Sequence, residues 1–322
     1  MQVVIVGSIA YDDLESTAGE AHSTLGGSAT YAGLAAAFHI RGRMPGTSTL
    51  PIGLVGVVGE DFRIGDWECL ESKGLDLRGV ERRDGSTFRW RGRYSGTMDE
   101  AETLETQLNV FGDFDPNLPE GYKSCDILFL ANIHPSLQAS VLDACESTKI
   151  TILDSMNLWI STEKDALSDV LRHVDMAILN DAEIRMLAEE VNLMKAIEAV
   201  RSGACLSGGE DAGRGPSTLI VKKGENGVLA VSEFGCIALP SMPTSDIVDP
   251  TGCGDSFAGS LIAHLVPALE RGLTQEDLRS ALIHATVTAS FTLSAFGSEA
   301  LVRLDRAQYA ARMDRYRTIV GF

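Results

Sequence analysis

The residues best suited to chemistry lie together in the last third of the chain. They read Asp249-Pro-Thr-Gly-Cys-Gly-Asp255 and run on into Ser256-Phe-Ala-Gly-Ser-Leu-Ile-Ala-His-Leu-Val266. Pro250 excludes helix before Thr251, Gly252 and Gly254 permit a tight turn, and the apolar run from Ser256 to Val266 predicts a buried helix ended by Pro267. A glycine turn therefore opens onto a helix N-terminus. Such an end presents unpaired backbone N–H groups and roughly half a positive charge, which suits phosphate or the charge that develops during phosphoryl transfer. Asp255 would repel bound phosphate, yet it is well placed to take a proton from an attacking hydroxyl. The plainer alternative is that Asp255 only caps the helix. A helix N-terminus can also activate a thiol, so Cys253 invites a thiol-enzyme reading, although no partner base is identifiable and a small Cys packs much as Ala does.

Asp249-Pro-Thr-Gly-Cys-Gly-Asp255 resembles the C-terminal signature of the ribokinase-like (PfkB) family of sugar and nucleoside kinases, usually Asp-Thr-x-Gly-Ala-Gly-Asp, with Pro250 and Cys253 as departures. The resemblance implies that Asp255 is the catalytic base and that the amides of Gly252, Cys253 and Gly254 form an anion hole. Other elements resemble the family in its order, from about residue 7 to 297. Asp12, after the first strand, resembles the substrate-binding Asp; the local alternative is a solvated turn. Gly26-Gly27 and the polar stretch after it resemble the N-terminal signature, with Tyr31 where many members have Asn, an aromatic that could stack on a base or ring. Asn157 and, more weakly, Asn132 follow strands and would face a ligand cleft.

Asn180-Asp-Ala-Glu183 resembles the family's metal and phosphate motif, which implies that Glu183 orders water around Mg2+; a helix cap is the local alternative. Lys222-Lys-Gly224-Glu-Asn-Gly227 stands at the family's Thr-x-Gly-x-x-Gly turn near the triphosphate, with Lys222 in place of Thr, and read locally it is a hairpin turn. Gly297 falls where family members hold adenine and, in some cases, a monovalent cation.

These residues need a scaffold, and the strand patterns supply one. Apolar β-branched runs recur at Val3 to Val6, Ile52 to Val58, Ile127 to Ala131, Ile150 to Asp154, Met176 to Asn180, Thr218 to Lys222 and Val228 to Val231. Helical patterns separate several of them, at Pro135 to Glu146, Glu163 to His173 and Ala182 to Glu190. Such alternation predicts an α/β fold with a doubly wound, mostly parallel sheet flanked by helices and ligands at the carboxyl ends of its strands. The first strand is not followed by Gly-x-Gly-x-x-Gly, which weakens a dinucleotide-dehydrogenase reading, and the absence of Gly-x-x-x-x-Gly-Lys-Ser/Thr excludes a P-loop enzyme. Period-2 patterns at Thr87 to Tyr94 and Thr103 to Phe111, joined by the acidic loop Met98-Asp-Glu-Ala-Glu, predict exposed strands, and Arg89, Arg91 and Arg93 share a solvated charged face. By resemblance they belong to a small β-sheet lid formed by roughly residues 10–25 and 80–112, which pairs between subunits in some members.

A chain of 322 residues with 44% apolar content can bury a substantial core, here expected as one kinase domain. The net charge of -18 argues against nucleic-acid and anionic-membrane partners. The six scattered cysteines suggest neither zinc nor a disulfide framework. No apolar run approaches the roughly 18 residues of a membrane span, and the first strand begins at the N-terminus, so a cytoplasmic protein is expected. The sequence thus predicts transfer of the γ-phosphoryl group of ATP, with Mg2+, to a hydroxyl of a sugar-like molecule. A nucleoside acceptor, or a sugar- or nucleotide-binding regulator without catalysis, is the alternative.

Overall fold

The computed structural model describes residues 1–96, 98 and 101–321. The strands are β1 (Val3–Val6), β2 (Ala10–Ser16), β3 (Gly19–Gly26), β4 (Ile52–Gly59), β5 (Asp76–Arg83), β6 (Phe88–Tyr94) and β7 (Ala101–Gln107), followed by β8 (Ile127–Leu130), β9 (Ile150–Asp154), β10 (Met176–Asn180), β11 (Thr218–Lys222), β12 (Val228–Ser232) and β13 (Gly235–Leu239). The helices are α1 (Ser28–Arg43), α2 (Ile64–Ser72), α3 (Pro135–Ala144), α4 (Asn157–Thr162), α5 (Lys164–His173) and α6 (Asp181–Ala188). After them come α7 (Leu193–Ser202), α8 (Cys253–Leu265), α9 (Gln275–Thr292), α10 (Glu299–Arg303) and α11 (Arg306–Val320).

Nine strands form the main sheet in the order β13-β12-β11-β10-β9-β8-β1-β4-β5, parallel from β11 to β5 and antiparallel at β12 and β13. Strands buried on both faces explain the unbroken apolar runs. Successive residues of β1 feed opposite cores: Val3 and Ile5 join the layer with α1, α8 and α9, whereas Val4 and Val6 join the layer with α3, α5 and α6. On the first face, α1 and α8 pack backbone to backbone. A Cβ on Gly259 would stand 2.0 Å from the Ala32 carbonyl oxygen, so this crossing requires glycine.

β2, β3, β6 and β7 make a separate four-stranded sheet in the order β3-β2-β6-β7. Residues 80–83, expected in this small sheet, belong instead to β5 at the edge of the main one, because β5 pairs in parallel with β4 as far as Arg83. The pattern expected from Thr103 to Phe111 is a strand only to Gln107; Asn109–Phe111 is a 3-10 turn. Asp99 and Glu100 of the acidic loop lie outside the described residues. The charged face carries ion pairs: Arg89 meets Asp61, and Arg91 and Arg93 share Glu15. Among the described residues, no helix is long and apolar enough to cross a membrane.

Candidate active site

Three adjacent parallel strands bring their carboxyl ends together, so β9 delivers Asp154, β10 delivers Asn180 and β11 delivers Lys222. Lys222 Nζ lies 3.1 and 3.2 Å from the two carboxylate oxygens of Asp154. The same ammonium lies against α8, since a Cβ on Gly254 would be 2.8 Å from Nζ. Burial alone would lower the Lys222 pKa, but Asp154, Glu183 and Asp255 around it hold it above its ordinary value. Lys222 is thus the cation at the centre of three carboxylates. Sequence reading placed Lys222 at the site but missed Asp154, whose partner lies on a strand two places away in the sheet.

Asp255 stands in the first turn of α8, behind a turn made by Gly252 in the left-handed region at φ +76°. Burial in the cleft and the neighbouring Asp154 push its carboxyl up to about 7, while Lys222 opposes them. Its side chain receives no hydrogen bond from another side chain among the described residues. Of the three expected anion-hole amides, that of Cys253 is already taken: it donates to the Pro250 carbonyl at 3.1 Å, closing the turn. The Gly252 and Gly254 amides have no backbone acceptor among the described residues, so of the three only these two are open to an anion. The Cys253 thiol points to the Ala289 carbonyl at 3.6 Å, and burial together with Asp249 and Asp255 raises its pKa, which keeps it protonated and removes the thiol-enzyme reading. Asp249 holds the turn by accepting from the Thr251 amide at 2.9 Å and the Gly297 amide at 3.0 Å.

Asp12 is 3% exposed and close enough to Asp249 and Asp255 to feel their charge. Its carboxylate is pressed onto the Gly26 backbone, where a Cβ would fall 1.9 Å from Oδ2, so Gly26 is required by close approach. Burial first, then Asp249 and Asp255, raise its pKa well above the usual range. No described residue donates to this carboxylate. A buried acid without donors costs several kcal/mol if it ionises, on the order of 1–3 per unmade hydrogen bond, and hydroxyl groups of a ligand would offset that cost. Gly27, at φ +94°, starts α1 with a Cβ position only 2.5 Å from the Ser8 carbonyl oxygen.

Tyr31 differs from expectation. Its ring is 1% exposed and lies beneath Gly252, where a Cβ would meet it at 2.3 Å, so no face is free for a base or sugar. Its hydroxyl is buried without a partner. Asn180 and Glu183 form a full capping box at the start of α6, with the Glu183 amide donating to Asn180 Oδ1 at 2.7 Å and the Asn180 amide donating to Glu183 Oε2 at 2.6 Å. Burial pushes the Glu183 carboxyl up to about 7 against the pull of Lys222. The cap and the carboxylate cluster thus share one residue. Gly224 and Gly227 shape the β11–β12 turn, both with positive φ. Asn157 is exposed at the first position of α4. Asn132 instead braces the loop after β9, accepting from Trp159 Nε1 at 2.9 Å. Trp159 turns an edge to His134 and Trp90 covers Gly92 of its own strand. From the small sheet, Tyr94 reaches the glycine turn, its hydroxyl 3.4 Å from Thr251 Oγ1, a contact without a local sequence signal.

Comparison with known proteins bears on this arrangement. Residues 11–303 match the pfkB family of carbohydrate kinases. The chain belongs to that family. It is an ATP-dependent kinase that phosphorylates a hydroxyl group of a small molecule. Among curated proteins, this kinase is 26% identical over 273 residues to a cytidine kinase of Thermococcus kodakarensis, covering 82% of this chain and 88% of that one. Among solved structures, the nucleoside kinase of Burkholderia thailandensis in complex with inosine superposes with a TM-score of 0.73 at 17% identity, covering 99% and 98% of the two chains. A candidate ribokinase II of E. coli in complex with ATP and Mg2+ gives a TM-score of 0.73 at 18% identity, covering 98% and 99%. These two likenesses establish the ribokinase-like fold, including the separate small sheet.

Proposed function

We propose that this kinase holds a sugar-like hydroxyl between Asp12 and Asp255 and transfers the γ-phosphoryl group of ATP to it. Asp255 accepts the hydroxyl proton as the oxygen attacks phosphorus. The bond from the γ-phosphorus to the ADP oxygen breaks, and the Gly252 and Gly254 amides at the α8 N-terminus receive the charge on the migrating group. The observation that carries this reading is the Asp255 carboxyl, set at a helix N-terminus with a pKa of about 7. A base near the working pH is half available as such and still strong enough to take the proton.

Lys222, Asn180 and the Gly224 to Gly227 turn line the triphosphate side. Glu183 fits Mg2+: it is a hard oxygen donor whose ionised form is disfavoured by burial and by Asp154 nearby, a cost that a dication would offset. When bound there, Mg2+ neutralises charge on the phosphates. Glu183 would hold it through water, since one of its oxygens already caps α6. Gly26 and Gly27 bring backbone close to the acceptor, and Asn157 stands at its rim.

The acceptor is a free sugar or sugar-like alcohol, or the sugar of a nucleoside. The likeness to a cytidine kinase favours the nucleoside reading, in which the base would need a partner other than Tyr31. A cytoplasmic setting follows from ATP as donor. No nucleic-acid partner is expected of so acidic a chain, and the exposed edges of the small sheet would serve a homodimer. ADP release, measured by a coupled assay across ribose, hexoses, sugar acids, inositols, cytidine, inosine and adenosine, with and without K+, tests the reading. Release with one acceptor class identifies the substrate. Nucleotide binding without release on any acceptor would leave a binding regulator in its place.

A further inference from the structure

Far from Asp255, three of the six histidines converge. His39 of α1, His264 of α8 and His284 of α9 each offer one ring nitrogen, and these atoms lie within 4.8 Å of one another. His264 is on the same helix as Asp255 but about 13 Å further along it, at about 1.5 Å per residue. For His39 and His284 one ring nitrogen meets a hydroxyl. His39 Nε2 is 2.8 Å from Thr288 Oγ1 and 3.0 Å from Ser260 Oγ, and His284 Nδ1 is 2.6 Å from the Tyr309 hydroxyl of α11. His39 Nδ1 then faces His264 Nε2 at 3.1 Å. Hydrogen bonds to the far nitrogen are what orient imidazoles that ligate a metal. In a tetrahedral site with bonds of about 2.0–2.1 Å, two nitrogens stand about 3.3 Å apart, close to the spacing between His39 and His264.

We propose that His39, His264 and His284 bind a transition-metal dication of the Zn2+ class, joining α1, α8 and α9 at the end remote from the chemistry. Three imidazoles select such an ion over Mg2+ or Ca2+, which take oxygen ligands. The rings of His264 and His284 stack at 3.7 Å and 8°, so to share the ion the His284 ring would turn about its Cβ–Cγ bond and give up its hydrogen bond to the Tyr309 hydroxyl, with water completing the shell on the partly exposed side. Of the nearby guanidinium groups, Arg43 donates to the Ala263 carbonyl and Arg306 to the Phe38 carbonyl. His39 and His264 also lie toward the carbonyl ends of α1 and α8, where the helix dipole favours positive charge.

The test uses the full-length, metal-free protein titrated with Zn2+ by calorimetry, and with Co2+ as a spectroscopic probe. One Zn2+ per chain is expected, with a Co2+ spectrum free of thiolate charge transfer. His284→Phe keeps the stacking and removes the ligand, and should weaken Zn2+ at least 100-fold while Mg2+-supported kinase activity without added Zn2+, as the report of folding, stays at the wild-type level. His264→Gln repeats the test should His284→Phe fail to fold. A variant in which His22, His134 and His173 are replaced by Gln should bind as wild type does. No stoichiometric binding, binding that survives both cluster substitutions, or binding lost with the three surface histidines would each overturn the site.

Discussion

Replacing Asp255 by Asn should separate what this carboxylate does for catalysis from what it costs the fold. The carboxyl is raised from its ordinary 3.8 to about 7. At about 1.36 kcal/mol per pH unit, ionising it in the folded protein costs about 4 kcal/mol relative to the unfolded chain. Solvent on the partly exposed side of the residue reduces that ceiling to about 2 kcal/mol. The sign follows from linkage. A carboxyl with a raised folded pKa contributes stability that is present below about 3.8 and lost as pH rises through about 7. Asn cannot ionise, so the variant should melt about 4 °C higher than wild type at pH 8 and no higher at pH 4, by calorimetric scans of both proteins. Turnover should fall by about 10²–10⁴ while ATP still binds, and the wild-type rate should climb with pH through an inflection near 7 that the variant lacks. A variant with near-normal turnover would refute the general-base role. A melting difference that ignores pH would refute the buried-charge argument even with catalysis lost.

Three further substitutions probe the surroundings. Lys222→Met removes the cation from three carboxylates and leaves Asp154 buried without its partner, so urea unfolding should show a loss of about 3–5 kcal/mol; an unchanged midpoint would mean that solvent already screens the pair. Gly252→Ala places a Cβ at 2.3 Å from the Tyr31 ring in a left-handed conformation and should lower kcat by about 10²–10³ through displacement of the anion-hole amides, with normal turnover counting against their role. Tyr31→Phe deletes a buried hydroxyl without a partner and should raise stability by about 1 kcal/mol with turnover unchanged; a fall in kcat/KM would show that the hydroxyl meets a substrate.

What could be read from the sequence was what depends on neighbours in the chain. The buried strands announced themselves as apolar runs, and the turn from Gly252 into α8 was visible because glycines, proline and an apolar stretch follow one another directly. The β11–β12 turn and the Asn180 cap were legible for the same reason. What escaped was set by contacts across the sheet. Asp154 and Lys222 meet only because β9, β10 and β11 lie side by side, and nothing near either residue signals the other. Tyr31 read as a ligand-facing aromatic because the family resemblance sets it where many members have Asn; its burial under Gly252 depends on where α8 crosses α1. The Pro250 carbonyl closing on the Cys253 amide is a matter of turn geometry, and residue types alone do not choose which of three amides is spent.

The contact of Gly259 with the Ala32 carbonyl bears on how accurately the two substrates can be aligned. With no side chain between them, α1 and α8 form a single rigid unit. The Gly26-Gly27 entrance to α1, beside which we propose the acceptor, and the Gly252 entrance to α8, beside which we propose the phosphoryl group, are therefore held at a fixed gauge by main-chain atoms. Reaction needs the two reacting atoms about 3–3.5 Å apart, and an error of about 1 Å costs on the order of 10²-fold in rate. A methyl group wedged into that seam would spread both entrances at once. The yardstick for the reaction is thus kept in the helix seam, out of reach of either ligand.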